Sequence, residues 1–408
     1  MCITKRILRN TQTAVYQPMV QAVIMAAGKS TRTYPLTLTR PKPLLKIANK
    51  PILEHQLEQL VGLVEEVILV VGYRKEMIQA YFRSSYRGLP LRYVTQEEQL
   101  GTGHAAMQVR SLIQDRFVLL NGDDLYHRED IQGCLQYPYA ILAQEVKDAR
   151  DYGVLIIEHG LVKDMLEKSP DPPTRFANTG LYVLDRAIFD ILEGIERSPR
   201  GEYEITSAMK ILAQRVSIVC RFVQKYWIPI AYPWSLLQAN ELLMKEARKD
   251  YTKYGKGKLW GGPGIHMGEG VEINGMAWVG SDCVIESECR LKGFVTLGDG
   301  CFLGSGTMVE NSLIGDRTQI GSRCQISNSV LGEEVQIGSG FRTLYELPGN
   351  PTIRARVKNS WVDTGLTKLG VILGDRVRLG QNVITHPGVY VDPEVEVPTG
   401  SVLKSIFA

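Results

Sequence analysis

Residues 267–308 read MGEGVE INGMAW VGSDCV IESECR LKGFVT LGDGCF LGSGTM, hexads opening on Met267, Ile273, Val279, Ile285, Leu291, Leu297 and Leu303. An apolar residue every six positions marks a β-helix, in which each hexad forms one flat face of a triangular coil. Five-residue steps follow from Val309 to Ile314 and from Ile326 to Leu331, and the six-step returns at Leu373, Leu379, Thr385, Val391, Val397 and Leu403. The opening residue points into the prism, and the residue four later fills a second, smaller inward position. Cys283, Cys289, Cys301 and Cys324 stand there, which predicts small apolar fillers. The seven cysteines contain no CxxC pair and their number is odd, so neither a metal site nor a disulfide framework is indicated.

The repeat breaks at 341–368, FRTLYELPGNPTIRARVKNSWVDTGLTK, an excursion of the kind that reaches a neighbouring subunit or covers a site. Upstream, the stretch SLLQANELLMKEARKDYTKY reads as an amphipathic helix carrying Leu236, Leu237, Leu242 and Leu243. Before it, apolar runs alternate with amphipathic ones. QAVIMAAG, VEEVILVVGY, LPLRYVTQ, DRFVLLNGDD and YAILAQEV read as strands, and PILEHQLEQLVGL and KEMIQAYFRSS as helices. That alternation predicts an α/β domain with a largely parallel sheet, whose ligands bind beyond the C-terminal strand ends. The expected division is an N-terminal extension at 1–20, an α/β domain at 21–233, a helical linker at 234–261 and a β-helix at 262–408.

The chain has 408 residues and a net charge of +3, with 44% hydrophobic and 22% charged residues. This balance offers no bulk attraction for nucleic acid or a membrane surface. No apolar run approaches the length of a membrane span. The first twenty residues lack a continuous apolar stretch and a small-residue cleavage site, which predicts a short extension and a cytoplasmic protein.

The segment AAGKSTRTYPLTLTRPKPLLK (26–46) follows the apolar run AVIM and crowds backbone amides and cations behind a strand. A P-loop would need glycine five positions before Gly28, where Val23 stands. The stretch therefore suggests a phosphate cradle of another kind.

On these motifs the first half resembles the sugar-1-phosphate nucleotidyltransferases. The whole chain after residue 20 resembles the bifunctional N-acetylglucosamine-1-phosphate uridyltransferases of archaeal type, which join such a Rossmann-like domain to a left-handed β-helix. The resemblance implies that Ala26, Ala27 and Gly28 aim backbone at a triphosphate. Arg32 would face the leaving pyrophosphate, and Lys42 the α-phosphate or the sugar phosphate. In TQEEQLGTGHAA (95–106), Gln96 can offer both a donor and an acceptor to the imide edge of uracil or thymine, and Gly101 and Thr102 let backbone approach the base. In LNGDDL, Asp123 would hold Mg²⁺ against the phosphates, with Asp124 the adjacent alternative. DYGVL, EKSPDPP and FANTGLYVL form the sugar side. Gly153 would lend an N–H, Glu167 and Asn178 would bond hydroxyls or an acetamido group, Lys168 would meet the sugar phosphate, and Thr179 would line the pocket. Glu202 and Glu204 read equally as sugar contacts or as charges at a helix start.

Three features depart from the family pattern. Ser30 stands for a glycine. In YWIPIAYPWSLLQAN (226–240), Pro229 stands where many relatives carry a second metal-binding aspartate, with Ala231 and Ser235 replacing a further glycine and aspartate. The histidines, at 55, 104, 127, 159, 266 and 386, leave 338–368 without the base that acetyl transfer would use, although VDTGLTKLG with Lys368 matches the archaeal scaffold. His386, in ITHPGV, reads as a corner or interface residue. The expected activity is transfer of UMP or dTMP from UTP or dTTP to a hexose-1-phosphate with Mg²⁺, in a homotrimer held by the β-helix. N-acetylglucosamine-1-phosphate and glucose-1-phosphate are the favoured acceptors. The rivals are a nucleotide-sugar-binding regulator and an acetyl-CoA-dependent acyltransferase.

Overall fold

The run Gln21–Ala26 is apolar on both faces, and it forms an interior strand of a ten-stranded sheet. The structure, a computed structural model, describes residues 20–247, 251–358 and 360–404; the predicted extension lies outside these apart from Val20. Gln21–Ala26 pairs in parallel with Glu66–Val71 on one side and Phe117–Asn121 on the other, with Leu89–Thr95 beyond Glu66–Val71. Strand alternation sends Val23, Ile68 and Leu119 to one layer and Ala22, Ile24, Val67 and Leu120 to the other. Helices Ile52–Leu60 and Lys75–Phe82 cover the second layer, and Ala187–Glu193 and Ile205–Ala213 the first. The far part of the sheet is mixed. Phe176–Leu184 inserts antiparallel between Phe117–Asn121 and Ala140–Glu145, and a hairpin of Gly153–Glu158 and Leu161–Glu167 completes that edge.

The second half is a parallel β-helix, as the hexads require. Ile273, Val279, Ile285, Leu291, Leu297 and Leu303 fill one continuous core with Cys283, Cys289, Cys301 and Cys324, all of them buried. Burying each such aliphatic side chain contributes about 1.5–3 kcal/mol relative to leaving it exposed. The five-residue steps keep the left-handed corner of the six-residue ones. Asn311 and Asn328 adopt left-handed backbone (φ 44° and 49°) at corners where earlier coils use Gly275 and Gly293. The Asn311 Oδ1 then accepts from Phe294 N at 3.1 Å, and a Cβ on Gly293 would meet that oxygen at 1.9 Å.

The expected linker is only partly helical. Ser235–Glu246 is a helix, but Gly257–Gly261 already pairs in parallel with Glu272–Val279, so the first coil begins inside it. Trp260 and Gly257 pack against that coil, and their alternation had no hexad to announce it. The helix joins the halves: Asn240 Oδ1 accepts from Ala48 N at 3.0 Å and from Thr296 Oγ1 at 2.8 Å. An apolar cluster with Leu36, Leu45 and Ile52 from one half and Leu313, Val330 and Ile372 from the other surrounds it. The excursion forms a hairpin, Arg354–Val357 with Ser360–Asp363, and its Ile353 and Ala355 are buried in this same cluster. Among the described residues no helix is long and apolar enough to cross a membrane.

Candidate active site

Three parallel strands, Gln21–Ala26, Leu89–Thr95 and Phe117–Asn121, end at one edge of the sheet, and the loops that follow them converge on a cavity of about 520 Å³. Ala26, Ala27, Gly28 and Arg32 line it from the first loop, Gln96, Gly101 and Thr102 from the second, and Asp123 from the third. Gly153, Glu167, Lys168 and Asn178 line the opposite end. The structure thus brings together residues spread over more than 150 positions.

In the first loop Ser30 holds a left-handed conformation, φ 50° and ψ 50°, which costs a side-chain-bearing residue of the order of 1 kcal/mol. Its carbonyl accepts from Thr33 Oγ1 at 2.7 Å and Thr37 Oγ1 at 2.9 Å, and these bonds hold the turn without the glycine. The exposed Arg32 guanidinium lies 5.6 Å over the ring of Tyr232, which stacks on Trp234 at 4.5 Å. Lys42 does not line the cavity wall. It is buried behind it, and its ammonium reaches Asp123 Oδ2 at 2.8 Å. Burial by itself would raise the Asp123 carboxyl; the charge and hydrogen bond of Lys42, with the charge of Arg32, outweigh it and hold the group below the usual carboxylate range.

Asp124 faces the same cavity but is buried. Its Oδ2 accepts from Trp227 Nε1 at 3.1 Å and lies 3.4 Å from both Asn121 Nδ2 and the Tyr126 hydroxyl. Burial and the neighbouring Asp123 charge push its carboxyl up to about 7, against the pull of Lys42 and of the Trp227 and Asn121 bonds. Strand Trp227–Pro229 pairs antiparallel with Asp124–Tyr126, and the register sets Pro229 directly opposite Asp124.

Gln96 is buried, with its Nε2 3.3 Å from Gly101 O and 3.0 Å from His104 Nδ1. Gly101 has φ 108°, and a Cβ there would meet Tyr203 O at 2.6 Å, so only glycine lets the loop pass. The Thr102 hydroxyl accepts from Ile205 N at 3.1 Å and so anchors the helix Ile205–Ala213 to this loop.

At the far end Asn178 Nδ2 donates to the Tyr182 hydroxyl at 2.6 Å. Glu167 accepts from Thr206 Oγ1 and Arg200 Nη2, each at 3.2 Å. Burial, then the Glu204 charge, raises its carboxyl, while Lys168, Arg200 and Thr206 oppose the rise. Burial and the Arg200 charge lower the Lys168 ammonium. Thr179 does not line the cavity. Alternation along Phe176–Leu184 turns it away from Asn178 and Gly180, and its hydroxyl donates to Leu142 O at 2.8 Å. Glu204 precedes its helix without capping it; instead it accepts from Arg200 at 2.6 Å and Ser198 at 3.0 Å. Arg200, Tyr152 and Trp227 line the cavity and escaped the sequence reading. For Arg200 the one signal was a cation beside the acids of GEYEIT.

Strand-end loops converging on a cavity with paired lysine and aspartate, at the C-terminal edge of a doubly covered sheet, define an α/β protein built to handle phosphates. Residues 21–246 match the sequence model of the nucleotidyl transferase family, and the chain belongs to that family. Residues 256–344 match the model described as the GMPPB C-terminal domain. The chain is 31% identical over 391 residues to the bifunctional protein GlmU of Methanocaldococcus jannaschii, covering 91% of this chain and 92% of that one. It is 36% identical over 242 residues to the UTP–glucose-1-phosphate uridylyltransferase AglF of Haloferax volcanii, covering 56% of this chain and 98% of the relative. A UDP-glucose pyrophosphorylase solved with UDP-glucose superposes with a TM-score of 0.51 at 26% identity, covering 56% of this chain and 99% of that one.

Proposed function

We propose that this chain transfers UMP, or dTMP, from the nucleoside triphosphate to a hexose-1-phosphate and releases pyrophosphate. The supporting observation is one cavity lined by Gln96, Arg32, Asp123 and the Glu167–Asn178 end, with Lys42 paired to Asp123 from behind the wall. A phosphate oxygen of the sugar phosphate attacks the α-phosphorus of the triphosphate. The bond to the pyrophosphate bridging oxygen breaks, and no covalent enzyme intermediate is needed. The residues therefore act by positioning and by stabilising charge. Gln96 would read the pyrimidine, Ala26, Ala27 and Gly28 would present backbone to the triphosphate, and Arg32 would meet the departing pyrophosphate. Lys42 would leave Asp123 for the phosphates. Glu167, Asn178 and the Gly153 N–H would hold the sugar, with Lys168 near its phosphate. Similarity to AglF makes glucose-1-phosphate the first acceptor to try, and the family resemblance drawn from the motifs adds N-acetylglucosamine-1-phosphate.

A divalent cation, Mg²⁺ in this reading, fits the residues present. It is commonly held by one or two carboxylates together with substrate phosphates, and Asp123 and Asp124 both face the cavity. It would neutralise charge on the triphosphate. Pro229 brings no ligand, and the acid directly across the strand pair, Asp124, would supply the second carboxylate.

Pyrophosphate release, measured with UTP or dTTP against a panel of sugar-1-phosphates, tests the proposal. Turnover with one pair supports it. UDP-sugar binding by the folded protein without turnover would make the chain a nucleotide-sugar-binding regulator. Within an active protein, Asp124→Asn should lower kcat about thirtyfold, and adding Pro229→Asp should restore part of that loss. The β-helix is proposed to assemble the chain as a homotrimer, which light scattering checks.

A further inference from the structure

Four acids occupy equivalent corners of successive β-helix coils. Asp299, Asp316, Glu333 and Asp375 each stand two residues after an inward aliphatic residue, and the registers Leu297↔Ile314, Ile314↔Leu331 and Leu331↔Leu373 stack them. Three of them spend one carboxylate oxygen inside the β-helix. Asp299 accepts from Ser281 N at 2.8 Å, Asp316 from Asp299 N at 3.1 Å, and Asp375 from Glu333 N at 2.8 Å. One Glu333 oxygen pairs with Arg317 at 3.3 Å, and the loop that carries Lys42 meets the other and the free oxygens of Asp316 and Asp375. Arg40 Nη2 lies 2.6 Å from Asp375 Oδ2, its Nη1 pairs with Glu333, and the Thr39 hydroxyl also donates to Asp375. Lys46 pairs with Asp316 and lies 4.0 Å from Asp299. Cations two residues before Lys42 and four residues after it are thus seated on one column of acids.

The column is not the sole contact between the halves, because the apolar cluster around Asn240 also joins them. The contact is also not a solvated surface pair: the Arg40 side chain is 14% exposed and that of Asp375 3%. The path from Arg40 to Lys42 is stiff. Pro41 and Pro43 fix φ on both sides of Lys42, and Leu44 N→Pro41 O at 3.0 Å and Leu45 N→Lys42 O at 2.9 Å close the turn. A shift of the Arg40 backbone is therefore passed to the Lys42 backbone, which carries the ammonium 2.8 Å from Asp123.

We propose that Arg40 is a positioning residue: through it, the acidic column of the β-helix sets where the Lys42 ammonium stands in the nucleotidyl-transfer site. This rests on the reading above that Lys42 serves the phosphates. The test uses the full chain, with Arg40→Met, Arg40→Lys and Glu333→Gln. Two readouts are taken: steady-state kinetics on the substrate pair the unmodified protein turns over, and the rate at which Lys42 is acetylated by a water-soluble amine reagent, followed by mass spectrometry. Arg40→Met should lower kcat at least about tenfold with both KM values held within about threefold, Glu333→Gln should lower it less, and Arg40→Lys should recover part of the loss. Lys42, protected in the parent, should react several times faster in Arg40→Met. Unchanged kcat and unchanged Lys42 protection, with only a lower melting temperature, would overturn the proposal. Should Arg40→Met fail to fold, Glu333→Gln decides by the same readouts. If no substrate pair turns over, the functional reading fails, and Lys42 protection alone decides whether the column positions it.

Discussion

The two halves of this chain use parallel strands for opposite ends. In the nucleotidyltransferase half the loops after the strands differ in length and composition, and they gather Arg32, Gln96, Asp123 and Asp124 around one cavity. In the β-helix the turns are nearly identical and stack in register, so like lies over like: cysteine in the interior, acid at the corner, and left-handed backbone recurring at the turns, on glycine, on asparagine and on charged residues such as Asp282, Arg317 and Glu334. Irregular connections concentrate different chemistries at one point, and regular ones repeat a single chemistry along a line. The first half should therefore respond to substitution in rate and the second in stability, except at the acidic column that meets Arg40.

That contrast can be broken in several ways. Lys42→Met should leave the fold intact and lower kcat about a thousandfold, because it removes a cation from the phosphates and leaves Asp123 unpaired. A comparable loss of melting temperature would erase the distinction; paired thermal and pyrophosphate-release measurements decide. Leu303→Ala should do the reverse. This fully buried residue lies in a coil away from the cavity, and its truncation should cost about 3 kcal/mol in denaturant unfolding with kcat of the folded fraction unchanged. A smaller effect sharpens the picture within the first half: Gln96→Ala should raise KM for the pyrimidine nucleotide about tenfold and reduce discrimination against purines, with kcat little affected.

The weakest prediction concerns pH. Burial lowers His55 from 6.5 to about 4, while its Nε2 contact with Ile47 O at 2.8 Å opposes the shift. Between those values the unfolded chain binds a proton that the folded imidazole does not. Stability should therefore fall as pH drops from about 6.5 toward about 4, and urea titrations of His55→Gln should show a shallower slope.

What could be read in advance follows the same division. Hexads are legible because one side-chain type must recur wherever the coil turns inward, and the strand ends of the first half are legible because buried parallel strands are continuous apolar runs. Asp123, Lys42 and Gln96 were singled out through resemblance to a family; spacing by itself named none of them. Thr179 was misplaced by one step of strand alternation, which a motif cannot show. Arg200 sits in a loop whose partners, Glu167 and Glu204, are fixed only by tertiary packing. Arg40 and Asp375 are 335 residues apart, and no local pattern links them.

The stacked corners have a bearing on how such a chain can change its length. Neighbouring coils sit about 4.8 Å apart, so a whole inserted turn moves the far end outward by one rung and leaves every corner facing as before. A single residue can be taken up at a corner, because Val279 stacks on Leu297 and Leu297 on Ile314 although the second step is one residue shorter. Longer partial insertions leave the prism, as residues 344–368 do, so this half grows in whole coils or by excursions.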